Sequence, residues 1–261
     1  MELNTVINQD CLIYMKTLPD NCIDAVITSP PYAEQRKKTY GGISVEEYPE
    51  WMKEIGKEIY RILKPTGTFI LNIKEHITNG QKDIYVLKTI LLLSEIFIWN
   101  ETYIWNKLNP FPTGNKKRLK DGFEYCYSFV KSKDYKFYPE NVLMKSTSKY
   151  QITEQRRKNK GTHYVTNGSG MDMRHRCSPE MVRPSNVISL TTDNTNHKHP
   201  ATFPITLPAF FIKLLTDEND LVYDPFMGSG STLVASKTLN RNYIGIDIVS
   251  EYIDIAKERL L

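Results

Sequence analysis

The amino-acid sequence predicts an α/β fold in which helices cover both faces of a mainly parallel sheet. Short apolar, β-branched runs alternate along the chain with segments whose apolar residues recur at helical spacing, an order typical of parallel sheets. The first run, 22–28, stops at two prolines that cannot continue a central strand. With 261 residues, 40% of them hydrophobic, the chain is long enough to form one large domain, or one domain carrying an insertion, around a buried core.

The remaining elements follow in chain order. Helical periodicity over 48–63 ends at Lys64-Pro65-Thr66-Gly67, and a buried strand is predicted over 68–73. A helix over 83–95 precedes two strands, 96–105 and 124–131, which we expect to pair antiparallel. Further along, we expect helices over 208–215, 231–239 and 250–260 and strands over 221–223 and 243–246.

Residues 132–190 interrupt this order with polar and basic sequence that lacks lasting periodicity. Between 131 and 176 there are eleven Lys/Arg and four Asp/Glu, a charge of +7, whereas the whole chain carries +4. The positive charge therefore belongs to one segment. We expect 1–131 and 191–261 to be the two halves of one domain, and 132–190 to be an insertion between them.

Composition excludes several classes of protein. The balance of 40% hydrophobic and 25% charged residues is that of a globular protein, and the four cysteines form no C-x-x-C pair, so neither a disulfide framework nor a metal site is expected. No basic region followed by an apolar stretch marks a signal peptide, and the apolar segment 84–99 is too short to cross a bilayer. We expect a cytoplasmic protein without a membrane partner.

A glycine-rich loop from Asp224 to Thr232 follows one predicted strand and opens a helix. Gly228 and Gly230 would let the backbone approach a ligand closely, and the amides of a helix N-terminus suit an anionic group. Asp247 ends the next strand, where carboxylates hold ribose hydroxyls. These features predict a nucleoside cofactor with an anionic end. Alone, the loop could be a plain connection, and it lacks the P-loop lysine and the third glycine of dinucleotide sites.

The second motif is Ser29-Pro30-Pro31-Tyr32, directly after a strand. Its prolines fix a rigid loop in which the Ser29 hydroxyl and the Pro30 carbonyl become hydrogen-bond acceptors. An exocyclic amino group of a base is a poor nucleophile, and acceptors for its two protons would draw its nitrogen towards tetrahedral geometry. Tyr32 could stack on a base rotated out of the duplex. The alternative is a proline turn capped by a packed tyrosine.

Together with H-P-A-T-F-P at 199–204, the S-P-P-Y and D-P-F-M-G-S-G-S-T motifs resemble those of the DNA amino-methyltransferases that accompany restriction endonucleases. The order of the motifs, catalytic first and cofactor last with a target-recognition region between, is similar to that of the permuted β class. The resemblance covers nearly the whole chain outside 132–190. It implies the class I methyltransferase fold, a Rossmann-like seven-stranded sheet with an antiparallel hairpin, and S-adenosyl-L-methionine as cofactor.

The resemblance also implies how the cofactor would be held. Its methionine end would lie along the glycine loop, with Ser231 and Thr232 at its carboxylate, and its adenine would lie against Ile248 with its amino group at Asp10. Asp10 could instead cap the following helix, and Phe203 could be a core aromatic. The expected cofactor residues are Asp10, Cys11, Phe203, Asp224, Phe226, Gly228, Gly230, Ser231, Thr232, Asp247 and Ile248.

The first residue of S-P-P-Y indicates the acceptor base. In the family that this chain resembles, S-P-P-Y accompanies cytosine-N4 methylation more often and D-P-P-Y accompanies adenine-N6 methylation, so we expect cytosine, with adenine as the alternative. Carbon-5 methylation needs a thiolate in a Pro-Cys context, and no Pro-Cys dipeptide occurs. An RNA or protein-amide acceptor, or a DNA-binding protein without catalysis, would be compatible with parts of the pattern.

Basic side chains near the S-P-P-Y loop and within the insertion predict contacts with double-stranded DNA, although such a run can also be a solvated face. A cognate endonuclease would share the target site, and the sequence leaves the oligomeric state open between monomer and homodimer. The expected DNA-binding residues are Arg36, Lys37, Lys38, Arg156, Arg157, Lys158, Lys160, Arg174 and Arg176.

Overall fold

The computed structural model of the protein describes residues 1–34, 42–110, 117–145, 181–192 and 204–261. Within these ranges the chain forms one large sheet of eight strands and two small sheets of two strands. The strands are β1 (Thr5–Asn8), β2 (Ile23–Thr28), β3 (Leu63–Ile73), β4 (Ile77–Thr78), β5 (Gln81–Lys82), β6 (Ile98–Lys107), β7 (Phe123–Val130), β8 (Met144–Lys145), β9 (Met181–Val182), β10 (Val187–Leu190), β11 (Leu221–Asp224) and β12 (Asn242–Asp247).

Helices fill the connections between these strands. None of the helices in the described ranges combines the length and the apolar character that crossing a membrane requires. They are α1 (Cys11–Met15), α2 (Tyr48–Ile62), α3 (Tyr85–Ser94), a 3-10 helix (Pro139–Val142), α4 (Thr206–Leu215), α5 (Ser231–Thr238) and α6 (Ser250–Arg259).

The large sheet has the strand order β1-β12-β11-β2-β3-β7-β6-β10. Neighbouring strands run parallel except at β7, which is antiparallel to both β3 and β6. The predicted α/β fold, mainly parallel with an antiparallel strand pair, is therefore confirmed. The resemblance implied seven strands, and β10 adds an eighth at the edge, paired with the last residues of β6.

The central strands are buried on both faces, as their continuous apolar sequences predict. In β2, Val26 packs into the core formed with α1, α2 and α3, whereas its neighbours Ala25 and Ile27 pack into the core formed with α4. A smaller cluster joins α5 and α6 to β12. Since side chains alternate along a strand, each strand of this kind connects two hydrophobic layers.

Every helix and strand predicted from periodicity is present, most with ends shifted by one or two residues. The largest shift is in β3, which begins at Leu63 rather than at 68. Strands β1 and β10 were not predicted, because each has four residues and lies in polar surroundings. Within 132–190, the described ends join the main fold: the Tyr138 amide donates to the Leu214 carbonyl (2.7 Å), and β10 belongs to the large sheet.

Two adjacent central strands, β2 and β11, end where the functional site is expected. From β2 the chain crosses to β3 on one side, and from β11 it crosses to β12 on the other side. The loops that follow β2 and β11 therefore diverge and leave a crevice at the carboxyl ends of the strands, which is where ligands bind in open α/β sheets. The loop after β2 begins at Ser29, and the loop after β11 begins at Pro225.

At the amino ends of β2 and β11, away from the crevice, Lys136 joins the segment after β7 to the main domain. The Lys136 ammonium lies 2.5 Å from Asp220, 2.9 Å from Asp217 and 3.6 Å from Asp24. Asp24 is 3% exposed and also binds Lys64 (2.8 Å). A mostly buried ammonium thus neutralises carboxylates that would otherwise repel each other.

We expect Lys136→Ala to lower the free energy of unfolding by about 2 kcal/mol, because it leaves partly buried carboxylates without their shared cation. Chemical denaturation monitored by circular dichroism would measure this loss. The exposed neighbour Lys133 is the matched control, and Lys133→Ala should change stability by less than about 0.5 kcal/mol. Equal effects of the two substitutions would contradict the assigned role of Lys136.

Candidate active site

The loop after β2 places Ser29 and Tyr32 beside each other at the crevice. The Tyr32 hydroxyl lies 3.4 Å from the Ser29 hydroxyl, 3.1 Å from Oε2 of Glu124 and 3.3 Å from Oδ1 of Asn72. Burial, reinforced by the negative charge of Glu124, raises the pKa of Tyr32 well above its usual range. Tyr32 is therefore a neutral phenol with one proton to donate.

Glu124 itself belongs to a buried ion pair. The Lys107 ammonium lies 2.6 Å from its Oε1, and the two side chains are only 13% and 11% exposed. Lys107 also lies over the ring of Trp105, 4.9 Å from the centroid. The ends of β6 and β7 thus place a charged pair directly behind the S-P-P-Y loop.

The other strand of the crevice ends in Asp224, which is 1% exposed. Its Oδ1 accepts hydrogen bonds from the Thr28 hydroxyl (2.6 Å) and the Phe226 amide (3.1 Å). Its Oδ2 is buried and makes no hydrogen bond of normal geometry among the described residues, although the nearby Thr232 hydroxyl also favours the charged form. Burial raises the pKa of Asp224 to about 6, against the lowering effect of its hydrogen bonds. A buried oxygen of this kind suits a ligand that brings its own donor.

Asp247, at the end of β12, fixes the glycine loop. Its Oδ2 accepts from the Gly228 amide and its Oδ1 from the Val249 amide, both at 3.0 Å. Gly228 and Gly230 have φ values of 50° and 81°, in the left-handed region that glycine adopts without strain. A Cβ on Gly230 would also lie 3.0 Å from the Cβ of Ala256 in α6. Both predicted glycines are therefore required by the backbone of the loop.

The hydroxyls of this loop bind protein groups. Arg259, in α6, donates to the carbonyl (2.7 Å) and hydroxyl (2.8 Å) of Ser229 and lies 3.4 Å from the Ser231 hydroxyl. The Thr232 hydroxyl lies 3.4 Å from the Ile27 carbonyl. Ser231 and Thr232 thus tie the loop to α6 and β2, and their expected role at a cofactor carboxylate stays a prediction.

The predicted residues near the N-terminus lie beside Asp247, because β1 pairs with β12 in the register Asn8 to Asp247. Asp10 caps α1: its Oδ1 accepts from the amides of Leu12 (2.9 Å) and Ile13 (3.1 Å). The helix-cap alternative is thus observed, and a second role of Asp10 at an adenine amino group stays a prediction. Cys11 is buried, which raises the pKa of its thiol to about 12 and keeps it neutral.

Two apolar residues also flank the loop. Phe226 packs against Trp51 of α2, with ring centroids 5.5 Å apart. Ile248, directly after Asp247, is 48% exposed, so its side chain is accessible to an apolar ligand. Phe203 and all nine predicted DNA-binding residues lie outside the described residues: Arg36, Lys37, Lys38, Arg156, Arg157, Lys158, Lys160, Arg174 and Arg176.

The sequence did not single out five residues that shape this site. Thr28 and Asn72 are polar residues that follow the apolar runs Ala25–Ile27 and Phe69–Leu71, a pattern that could have marked them as functional. The other residues stand at the ends of β6, β7 and α6, where charged side chains are ordinary, and only the three-dimensional arrangement identifies them. The five residues are Thr28, Asn72, Lys107, Glu124 and Arg259.

The geometry joins the two motifs into one site. Thr28, which donates to Asp224, is the residue directly before Ser29, so the S-P-P-Y loop adjoins the glycine-rich loop. This combination in a Rossmann-like sheet defines an amino-methyltransferase of the permuted β class. A family model described as DNA methylase matches residues 23–258, and the chain belongs to this family.

Individual relatives agree with this assignment. The type II methyltransferase M.PvuII of Proteus hauseri is 29% identical over 279 residues, which cover 97% of this chain and 82% of the relative. The orphan methyltransferase M.BamHII of Bacillus amyloliquefaciens is 32% identical, over 94% of this chain and 91% of the relative.

Solved structures show the same fold. The PvuII DNA methyltransferase, described as cytosine-N4-specific, has a TM-score of 0.76 at 25% sequence identity, covering 98% of this chain and 86% of that chain. M1.HpyAVI, solved as a complex with S-adenosylmethionine, has a TM-score of 0.60 at 23% identity, covering 98% and 99%.

Asp224, a buried carboxyl with one oxygen that lacks a hydrogen bond, should reduce the stability of the ligand-free protein. Its folded-state pKa of about 6 exceeds the ordinary 3.8, so the carboxyl contributes stability when protonated and loses it as pH rises from about 4 through about 6. We expect Asp224→Asn to raise the free energy of unfolding by about 1 to 3 kcal/mol at pH 8 and to have little effect at pH 4. Denaturant titrations at both pH values would measure this.

The exposed carboxylate of Asp254 in α6 is the matched control for this measurement. Asp254→Asn should leave stability unchanged at both pH values. If Asp224→Asn were destabilising at pH 8, the carboxylate would have to be well paired in the folded state, contrary to its geometry.

Proposed function

We propose that the protein transfers the methyl group of S-adenosyl-L-methionine to the exocyclic N4 of a cytosine in double-stranded DNA. The observation that carries this proposal is that Ser29 directly follows Thr28, whose hydroxyl donates a hydrogen bond to Asp224. This places acceptors for an amino group next to the glycine-rich loop that would bind the cofactor. Ser29 in the first position of the S-P-P-Y motif and the similarity to the cytosine-N4-specific PvuII enzyme support cytosine as the base.

The described residues fit this cofactor at both of its ends. A ligand ammonium group would give the buried Oδ2 of Asp224 its missing hydrogen-bond partner. Asp247 would hold the ribose hydroxyls while its oxygens still accept the loop amides, and the exposed Ile248 would cover the adenine. When bound, the cofactor supplies an electrophilic methyl group on a sulfonium, so the protein need not provide a nucleophile of its own.

The task of this chain is then to make the amino nitrogen of the base a better nucleophile. The Ser29 hydroxyl and the Pro30 carbonyl would accept the two amino protons, which weakens the delocalisation of the nitrogen lone pair into the ring. Tyr32 would hold the base by stacking, with its ring packed against the core and its hydroxyl fixed by Glu124 and Asn72. A base held in this way has left the duplex stack.

DNA would lie across the crevice at the carboxyl ends of the strands, and the basic segment between 131 and 176 would bind it. The charge of +7 in this segment would attract the phosphates, and its arginines would read base edges. In a restriction-modification system, methylation at this site would protect the DNA from an endonuclease of the same specificity.

Adenine-N6 methylation is the alternative, because the same two acceptors would suit any exocyclic amino group. Incubation of the purified protein with DNA and methyl-labelled cofactor, followed by nucleoside mass spectrometry, separates the two. We expect N4-methylcytosine. N6-methyladenine as the product would replace cytosine by adenine in the proposal, and absence of any methylated nucleoside would overturn the proposal.

A second expected outcome concerns Tyr32. Tyr32→Ala should lower kcat by on the order of a hundred-fold, because the flipped base loses its stacking partner, and should change the cofactor Kd less than about three-fold. Steady-state kinetics and calorimetry would measure the two quantities. Trp99→Ala, an exposed aromatic at the opposite edge of the sheet, is the control and should leave both unchanged. Undiminished turnover of the Tyr32 variant would refute its role.

A further inference from the structure

Behind the S-P-P-Y loop, four side chains form a continuous hydrogen-bonded chain. The Lys107 ammonium binds Oε1 of Glu124 (2.6 Å), and Oε2 of Glu124 lies 3.1 Å from the Tyr32 hydroxyl. The Tyr32 hydroxyl in turn lies 3.4 Å from the Ser29 hydroxyl. The chain thus runs from a buried ion pair to the residue that would touch the reacting amino group. Hydrogen bonds of catalytic networks are often long before substrate binds and tighten in the complex.

The direction of these hydrogen bonds follows from what each group can donate. A carboxylate paired with an ammonium group only accepts. The Asn72 amide also presents its oxygen to Tyr32, because its nitrogen donates to the Tyr125 carbonyl (3.0 Å). The single Tyr32 proton therefore goes to Glu124 or Asn72. Towards Ser29, the Tyr32 oxygen can only accept.

The hydrogen bond between the two hydroxyls then has one direction, from Ser29 to Tyr32. When it forms, the Ser29 proton points at the Tyr32 oxygen, and the serine lone pairs are left for other donors. The amino group of a base carries two protons and needs acceptors. A serine hydroxyl that rotated freely could point its own proton at the amino protons. The two groups would then repel each other, and no hydrogen bond would form.

We propose that Glu124 is a positioning residue for methyl transfer: acting through the Tyr32 hydroxyl, it fixes the Ser29 hydroxyl as an acceptor for the amino group. This inference rests on the proposed function and adds the residue that sets the polarity of its acceptor. It also gives Tyr32 a second role, because its hydroxyl orients the Ser29 hydroxyl while its ring stacks on the base. Lys107 balances the charge of Glu124 within the protein.

Glu124→Gln tests this polarity with little change of shape. A glutamine can turn its amide nitrogen towards Tyr32 and donate, so the Tyr32 proton is then shared between the Asn72 oxygen and Ser29. Whenever it lies towards Ser29, the Ser29 proton turns towards the base. We expect kcat to fall by about ten-fold or more, with the Kd values for cofactor and DNA within about two-fold of wild type. Tyr32→Phe keeps the ring but breaks the chain, and should lower kcat to a similar extent.

The double variant distinguishes positioning from a structural role. If Glu124 acts through Tyr32, Glu124→Gln should have no further effect on kcat in a Tyr32→Phe protein. Glu75, a partly buried glutamate paired with Lys82 (3.4 Å), supplies the control, and Glu75→Gln should leave kcat unchanged. Thermal unfolding of each variant would show that the fold is retained.

Two results would overturn the inference: wild-type kcat in Tyr32→Phe, which does not depend on whether the Glu124 variant folds, or additive losses in the double variant. Either result, obtained with a wild-type protein that forms N4-methylcytosine, leaves the proposed function intact. Failure of the wild-type protein to methylate DNA would instead contradict the proposed function itself.

Discussion

The hydrogen bond from Thr28 to Asp224 is the interaction on which the site depends. It joins the last residues of β2 and β11, the two strands from which the chain crosses in opposite directions. The loops that carry Ser29 and Gly228 begin within a few residues of this bond. A 2.6 Å hydrogen bond between buried groups therefore fixes the distance between the S-P-P-Y loop and the glycine-rich loop at their first residues.

The Asp224 side chain also lowers the stability of the ligand-free protein. Asp224 is buried with one oxygen unpartnered, and its pKa is raised to about 6 by loss of solvation. A protein selected for stability alone would have a neutral or apolar residue here. Retention of a carboxylate makes sense if a ligand supplies the missing donor, since binding then recovers the free energy that folding left unused. Active sites commonly combine local instability with affinity in this way.

Much of this arrangement could be predicted from the sequence, because it depends on local patterns. Apolar runs and helical periodicity located the elements of the sheet, and Pro30-Pro31 and the two glycines located the loops that end β2 and β11. Strands β1 and β10 could not be predicted, because four residues in polar surroundings give too weak a pattern, whereas the equally short β11 stands directly before the recognisable glycine-rich loop. The basic segment between 131 and 176 was predicted from charge alone, which carries no information on its fold.

The support of the site could not be predicted, since it depends on strand register. Asn72 reaches Tyr32 because the antiparallel pairing of β3 and β7 sets it opposite Cys126, two residues from Glu124. Lys107 reaches Glu124 because β6 ends where β7 begins. No local pattern specifies such a register, although a one-residue slip would turn each of these side chains to the other face.

The polarity of the hydroxyl groups unites these contacts into one chemical design. Thr28 donates to Asp224, and Tyr32 donates to Glu124 or Asn72, so the protons of both hydroxyls point into the protein. What remains at the crevice are lone pairs, together with the Pro30 carbonyl, which cannot donate. A surface of acceptors suits an amino group, which brings two protons. The proposed role of Ser29 as an acceptor therefore rests on the Glu124 carboxylate behind the site as well as on its place in the motif.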